Sequence, residues 1–112
     1  MNVGVDIVEI DRVRRSVRNP RFLKRIFTPQ EVAYCRSRKN SAQHFAVRFA
    51  AKEAVWKAIG HAKLLHRDIG VRNRPDGKPE IRFPKRFEKF SRRVSISLSH
   101  GRDYAVAMAI CR

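Results

Sequence analysis

Two carboxylates stand among residues that avoid water. Asp6 lies in the middle of Asn2 to Ile10, NVGVDIVEI. There Val3, Val5 and Ile7 alternate with Gly4, Asp6 and Val8, so both sides of the pattern carry apolar groups and a strand buried on both faces is predicted. A carboxylate in such a strand must be paired, hydrogen-bonded or bound to a cation; a strand-end hydrogen-bond acceptor is the plainer alternative. The second carboxylate, Glu53, lies in Arg48 to Ala58, RFAAKEAVWKA. Lys57 follows it by one helical turn, and an ordinary ion pair at that spacing, worth about 0.2–0.5 kcal/mol when exposed, explains both residues as well as chemistry does.

The segment around Glu53 reads as a helix from about Ala42 to the residue before Gly60, rich in good helix formers and free of Pro and Gly. At about 100° per residue, Phe45, Phe49 and Trp56 share one side. Alanines and valines cover most of the rest, and the charges fall into two strips, Glu53 with Lys57 and Arg48 with Lys52. A surface helix has one broad polar face. This one has none, which predicts a mostly buried helix whose charges open into a cleft or a subunit interface.

Other elements position that helix. Ile10, Val13 and Val17 space out a helix from Asp11 to Asn19, and Pro20 opens a short one with Phe22, Leu23, Ile26 and Phe27 on its apolar side. Thr28-Pro29-Gln30-Glu31 is a helix start with a capping box, and that helix runs to about Arg36. Ser37 to Gln43 is a polar, basic connection. Ile69–Asn73 and Glu80–Phe83 flank the Asp76-Gly77 turn as a hairpin, followed by a short helix from Pro84. Val94–His100 and Tyr104–Cys111 alternate strictly as a second hairpin, in which His100 shares the face of Ile96 and Leu98. The class is α+β, a small, mostly antiparallel sheet packed with helices, and residues 1–112 read as one domain.

The chain has 26 Lys and Arg against 10 Asp and Glu, a net charge of +16. Its partner is therefore expected to be anionic: nucleic acid, an acidic protein or a phosphate-rich small molecule. No run of apolar residues spans a bilayer, and the first residues lack the basic-then-apolar pattern of a secretory signal, so a cytoplasmic location without membrane contact is expected. Cys35 and Cys111 fit no metal spacing and read as reduced thiols.

Three segments together resemble the bacterial holo-[acyl-carrier-protein] synthases, the small 4′-phosphopantetheinyl transferases: GVDIVEIDR (Gly4 to Arg12), RFAAKEAVWKAIG (Arg48 to Gly60), and SISLSH (Ser95 to His100) followed by Asp103-Tyr104-Ala105. Asp76-Gly77-Lys78-Pro79 suits that family's hairpin. The resemblance covers essentially the whole chain. It implies transfer of the phosphopantetheine arm of coenzyme A to a serine of apo acyl carrier protein, giving holo carrier protein and adenosine 3′,5′-bisphosphate in support of fatty acid biosynthesis. It also implies Mg²⁺ dependence and a homotrimer with sites between subunits.

The resemblance makes Asp6 and Glu53 the Mg²⁺ ligands. That agrees with a hard cation held by one or two carboxylates and phosphate oxygens, and with a phosphoryl transfer that needs charge neutralisation more than a protein nucleophile. Lys57 is implied to meet the coenzyme A phosphates and the leaving phosphate. Glu53 itself and a water on the cation are the two acceptors left open for the serine proton. His100 is implied to contact coenzyme A; Gly101 follows it where some relatives have an acidic residue, so no role passes to that neighbour. Arg48 and Lys52 are candidates for the nucleotide phosphates or a subunit contact, and Arg38, Lys39 and Lys78 for the 3′-phosphate. Arg12, Arg18 and Arg21 are candidates for docking the acidic carrier protein, which a basic ridge would steer. His44, His61 and His66 match no ligand pattern and receive no role. The competing reading is a small basic nucleic-acid-binding protein. Against it, the aromatics Phe45, Phe49 and Trp56 sit as core rather than as a stacking platform, and the two carboxylates would repel a phosphate backbone.

Overall fold

Alternation and chain punctuation set the elements. In the computed structural model, which describes Met1–Arg112, β1 (Asn2–Glu9) runs directly into α1 (Ile10–Ser16). α2 (Pro20–Ile26) starts on a proline, with the Asn19 side chain accepting from the Arg21 amide. α3 (Pro29–Ser37) has the full capping box. Thr28 Oγ1 accepts from the Glu31 amide at 3.2 Å, and Glu31 Oε1 accepts from the Thr28 amide at 2.9 Å. α4 (Ser41–Ile59) stops at Gly60, whose φ of +65° turns the chain out of the helix. A 3₁₀ turn, His66–Asp68, leads into β2 (Gly70–Asn73) and β3 (Pro79–Arg82). A second one, Lys85–Phe90, precedes β4 (Val94–His100) and β5 (Tyr104–Cys111).

The strands form two antiparallel sheets. β1, β5 and β4 pair in that spatial order, with Gly4 opposite Ala109 and Asp6 opposite Ala107, while β2 and β3 pair only with each other. α4 lies across the inner face of the larger sheet. Ala50, Ala51, Ala54 and Ala58 are buried against Ala107 and Ala109, and Phe45 and Ala46 join Ile10, Val13, Leu23, Phe27 and Cys35 in a second cluster beneath α1 to α3. The small residues permit a very close approach. A Cβ on Gly4 would lie 1.9 Å from the Ala54 carbonyl oxygen and 2.9 Å from the Ala58 nitrogen. No helix is long and apolar enough to cross a membrane.

The expectation that β1 is buried on both faces is corrected. Gly4, Asp6 and Val8 face α4, but Val3, Val5 and Ile7 are 60%, 56% and 64% exposed. The reason is layering. Helices cover one face of the β1–β5–β4 sheet, and in the single chain nothing covers the other. Opposite Val5 stands Met108, itself exposed, and beyond it Ser97.

Gly4→Ala drives a methyl into helix backbone that has no room to yield, so it should cost at least about 1–3 kcal/mol. Gly101→Ala, in open space, should leave stability nearly unchanged. Urea denaturation followed by circular dichroism compares the two.

Candidate active site

Asp6 projects from the helix-covered face of β1 and Glu53 from α4 immediately before Ala54, so the Gly4 contact brings both carboxylates to one cleft of about 470 Å³, also lined by Glu9, Arg12 and Phe49. Asp6 is mostly buried, and its Oδ1 accepts from Lys57 Nζ at 3.1 Å; the same ammonium donates to the Val5 carbonyl, also at 3.1 Å. Lys57 thus pairs across elements with Asp6 and not with Glu53 on its own helix, which sets aside the simple helical pair. Glu53 instead faces the ring of His66, with Nε2 3.3 Å from Oε1.

A second cleft of about 400 Å³ opens beside the first end of α4, where His100, Gln43, His44, Arg48 and the hairpin residues Gly77 and Pro79 converge. His100 is exposed at the end of β4, and Gln43 Nε2 lies 3.0 Å from its Nε2. Arg48 is buried beneath the Tyr34 ring, 4.4 Å from its centre. Its one hydrogen bond is to the His44 carbonyl, at 3.3 Å, and it has no carboxylate partner. A buried guanidinium without an anion retains donors for one. Burial, reinforced by the Arg48 and Arg38 guanidiniums and by His100, pushes the His44 pKa down. Lys78 sits between Gly77 and Pro79 at the hairpin tip, and Lys39 lies in the turn before α4; both are exposed. Arg38 stacks 5.5 Å from the Tyr34 ring centre on the side of that turn.

The arginines proposed for docking separate. Arg12 lines the carboxylate cleft; Arg21 gathers with Arg15 and Arg25 around Phe22; Arg18 is exposed and lines neither place. Gln43, His66, Arg15 and Arg25 carried no mark in the sequence. Gln43 and His66 meet His100 and Glu53 only through folding, and Arg15 and Arg25 are two of many basic residues on short helices.

The two clefts, on this topology, can be set beside known proteins. A model of the 4′-phosphopantetheinyl transferase superfamily matches residues 2–109. The chain belongs to that family. It is 42% identical over 118 residues to a holo-[acyl-carrier-protein] synthase of Moorella thermoacetica, covering 98% of this chain and 92% of that one. With the synthase of Chlamydia trachomatis serovar L2 it is 46% identical over 115 residues, covering 96% of each. The α+β fold matches crystal structures of such synthases. That of Neisseria meningitidis aligns with a TM-score of 0.88 at 31% identity, over 99% of this chain and 97% of that one. That of Bacillus anthracis, in complex with CoA (3′,5′-ADP), aligns with a TM-score of 0.83 at 32% identity, over 98% and 94%. The nucleic-acid reading gains no support within this family. Phe45 is buried and Phe49 packs on Phe22; Trp56, expected in the core, is instead 41% exposed, although its indole donates to the Leu64 carbonyl at 3.1 Å.

In this member of the phosphopantetheinyl transferase family Lys52 is not a phosphate ligand, and that expectation is corrected. Lys52 is wholly buried. Its ammonium pairs with Glu31 at 2.8 Å and donates to the carbonyls of Ile69 at 2.7 Å and His66 at 3.2 Å, which uses all its protons. Glu31 Oε2 accepts from the Val71 amide at 2.7 Å. The pair therefore ties α3, α4 and β2 together. Burial lowers the Lys52 pKa, and the Glu31 carboxylate opposes that shift. Burial also pushes the nearby Cys35 thiol up to about 11, against the pull of Arg48, so it is an inert core group. Lys52→Ala leaves Glu31 charged and unpaired, and should destabilise the fold by about 3–5 kcal/mol. Chemical denaturation measures it, whereas a phosphate ligand would lose coenzyme A affinity with the fold intact.

Proposed function

We propose that this protein is a holo-[acyl-carrier-protein] synthase. It transfers the 4′-phosphopantetheine arm of coenzyme A to a serine of apo acyl carrier protein, releasing adenosine 3′,5′-bisphosphate, in the cytoplasm and in support of fatty acid biosynthesis. The observation that carries this reading is the pairing of Asp6 and Glu53, from different elements, on one cleft, within a chain whose curated relatives bear that name.

The donor set suits Mg²⁺. No three His, Cys, Asp or Glu side chains converge into a protein cage. Asp6 and Glu53 on an open cleft, short of a full protein cage, fit an ion that keeps waters and takes phosphate oxygens as its remaining ligands. When bound, Mg²⁺ supplies charge neutralisation to the pyrophosphate under attack.

The chain's own residues do the rest. Lys57, half exposed while it holds Asp6, is placed to offer its ammonium to the departing phosphate. Glu53 is one acceptor for the serine proton. Arg48 and His100, on the second cleft, bind and orient the nucleotide end of coenzyme A, with Lys39 and Lys78 as further cations for its 3′-phosphate. Holding donor and serine in line is itself a large share of such a rate enhancement. Arg12, beside the carboxylates, and Arg21 attract the acidic carrier protein, Arg18 contributing only to the overall field.

The exposed face of Val3, Val5, Ile7 and Met108 supports self-assembly, since an apolar patch of this kind marks an interaction surface; that three copies assemble follows from the family resemblance.

Intact mass spectrometry of apo carrier protein, incubated with this protein, coenzyme A and Mg²⁺, should show the gain of one phosphopantetheine. Chelator or Glu53→Gln should abolish it, and Arg12→Ala should slow it most at low salt. No gain on a folded cognate carrier would refute the activity. Sedimentation at micromolar concentration should give the mass of three chains; a persistent monomer would refute the assembly.

A further inference from the structure

Glu53 has a neighbour that nothing in its own helix supplies. His66 lies in the 3₁₀ turn after α4, and its ring stacks near-parallel to Phe49 (centroids 6.4 Å apart, 21°) and to Trp56 (5.8 Å, 22°). Those two residues stand one turn before and one turn after Glu53, so the stack brings the imidazole beside the carboxylate. The backbone is fixed as well. The His66 carbonyl accepts from the buried Lys52 ammonium at 3.2 Å and from the Ile69 amide at 3.0 Å. Nε2 is buried, 3.3 Å from Glu53 Oε1, and has no well-aligned hydrogen-bond partner.

A buried ring nitrogen without a partner costs free energy, and a phenyl ring would fill the same stacked slot without that cost. The nitrogen therefore calls for a purpose, and one acceptor lies within its reach. A glutamate has three side-chain torsions to order before it can hold anything. An N–H on Oε1 fixes them and leaves the other oxygen for the cleft that Glu53 shares with Asp6.

We propose that His66 is a positioning residue for Glu53: its Nε2–H holds one carboxylate oxygen so that the other is presented to the divalent cation. This rests on the reading of Glu53 as a metal ligand. Groups that orient a ligand from behind typically alter metal affinity by about 10–100-fold when lost.

The test is Mn²⁺ affinity, by calorimetry and by electron paramagnetic resonance in the presence of coenzyme A, with thermal unfolding measured in parallel. His66→Phe keeps the stack and loses the nitrogen; it should weaken Mn²⁺ binding about tenfold with an unchanged or higher melting temperature. His66→Gln keeps an N–H donor and loses the stack; it should melt lower yet bind Mn²⁺ more tightly than His66→Phe. If His66→Phe binds Mn²⁺ like the wild type while Glu53→Gln does not, the positioning role is overturned and the ligand role of Glu53 stands. If affinity instead follows melting temperature across both His66 variants, His66 is packing only and the proposal fails. If Glu53→Gln itself binds Mn²⁺ like the wild type, both readings fall together.

Discussion

Backbone touches backbone where β1 crosses α4, and most of the molecule follows from that contact. At Gly4 there is no space for a side chain above the Ala54 carbonyl. An approach this close requires glycine on the strand and alanine on the helix, which is why α4 carries Ala50, Ala51, Ala54 and Ala58 inward and β5 meets it with Ala107 and Ala109. The same contact fixes the cleft. Asp6 follows Gly4 by two residues on one strand face, while Glu53 and Lys57 directly precede Ala54 and Ala58. Seating Gly4 on the helix thus delivers the carboxylate of one element to the carboxylate and ammonium of the other. Long core side chains between strand and helix would hold these groups apart.

Electrostatics divides the cations of α4 between scaffold and site. Lys52 and Lys57 lie on one helix five residues apart and meet opposite surroundings. Lys52 points toward α3 and β2, where Glu31 and two carbonyls take all its protons in the dry interior; removing either partner would strand a charge. Lys57 points to the sheet side, with Asp6 as partner and solvent still within reach. Arg48 is the intermediate case, buried under Tyr34 with its charge unmatched by any carboxylate. A net charge of +16 repels itself, and an anionic partner relieves part of that repulsion.

Much of this was legible in the sequence because local rules carried it. Pro20, Thr28-Pro29 and Gly60 mark helix ends by their own stereochemistry, and the period-two pattern of Val94 to Cys111 is a strand pattern in any context. Asp6 and Glu53 stood out because carboxylates are costly among apolar neighbours. What the sequence hid depends on which element packs on which. Alternation reports that Val3, Val5 and Ile7 share a face, not whether anything covers it. The strip of Arg48 and Lys52 was visible, but a buried ion pair with Glu31 and a contact to phosphate require the same residue types. His66 and Gln43 bear on the two clefts only through the folded path of the chain, so no spacing rule could select them.

On the proposed reading, Asp6 and Glu53, brought together by the strand–helix contact, hold one divalent cation as a unit. A double-mutant cycle on Mn²⁺ affinity, with Asp6→Asn, Glu53→Gln and the double variant titrated in the presence of coenzyme A, tests it most directly. Residues acting on one ion couple strongly, so each single variant should lose nearly as much affinity as the double. Losses that simply add, or a single variant that binds as the wild type does, would contradict a shared site.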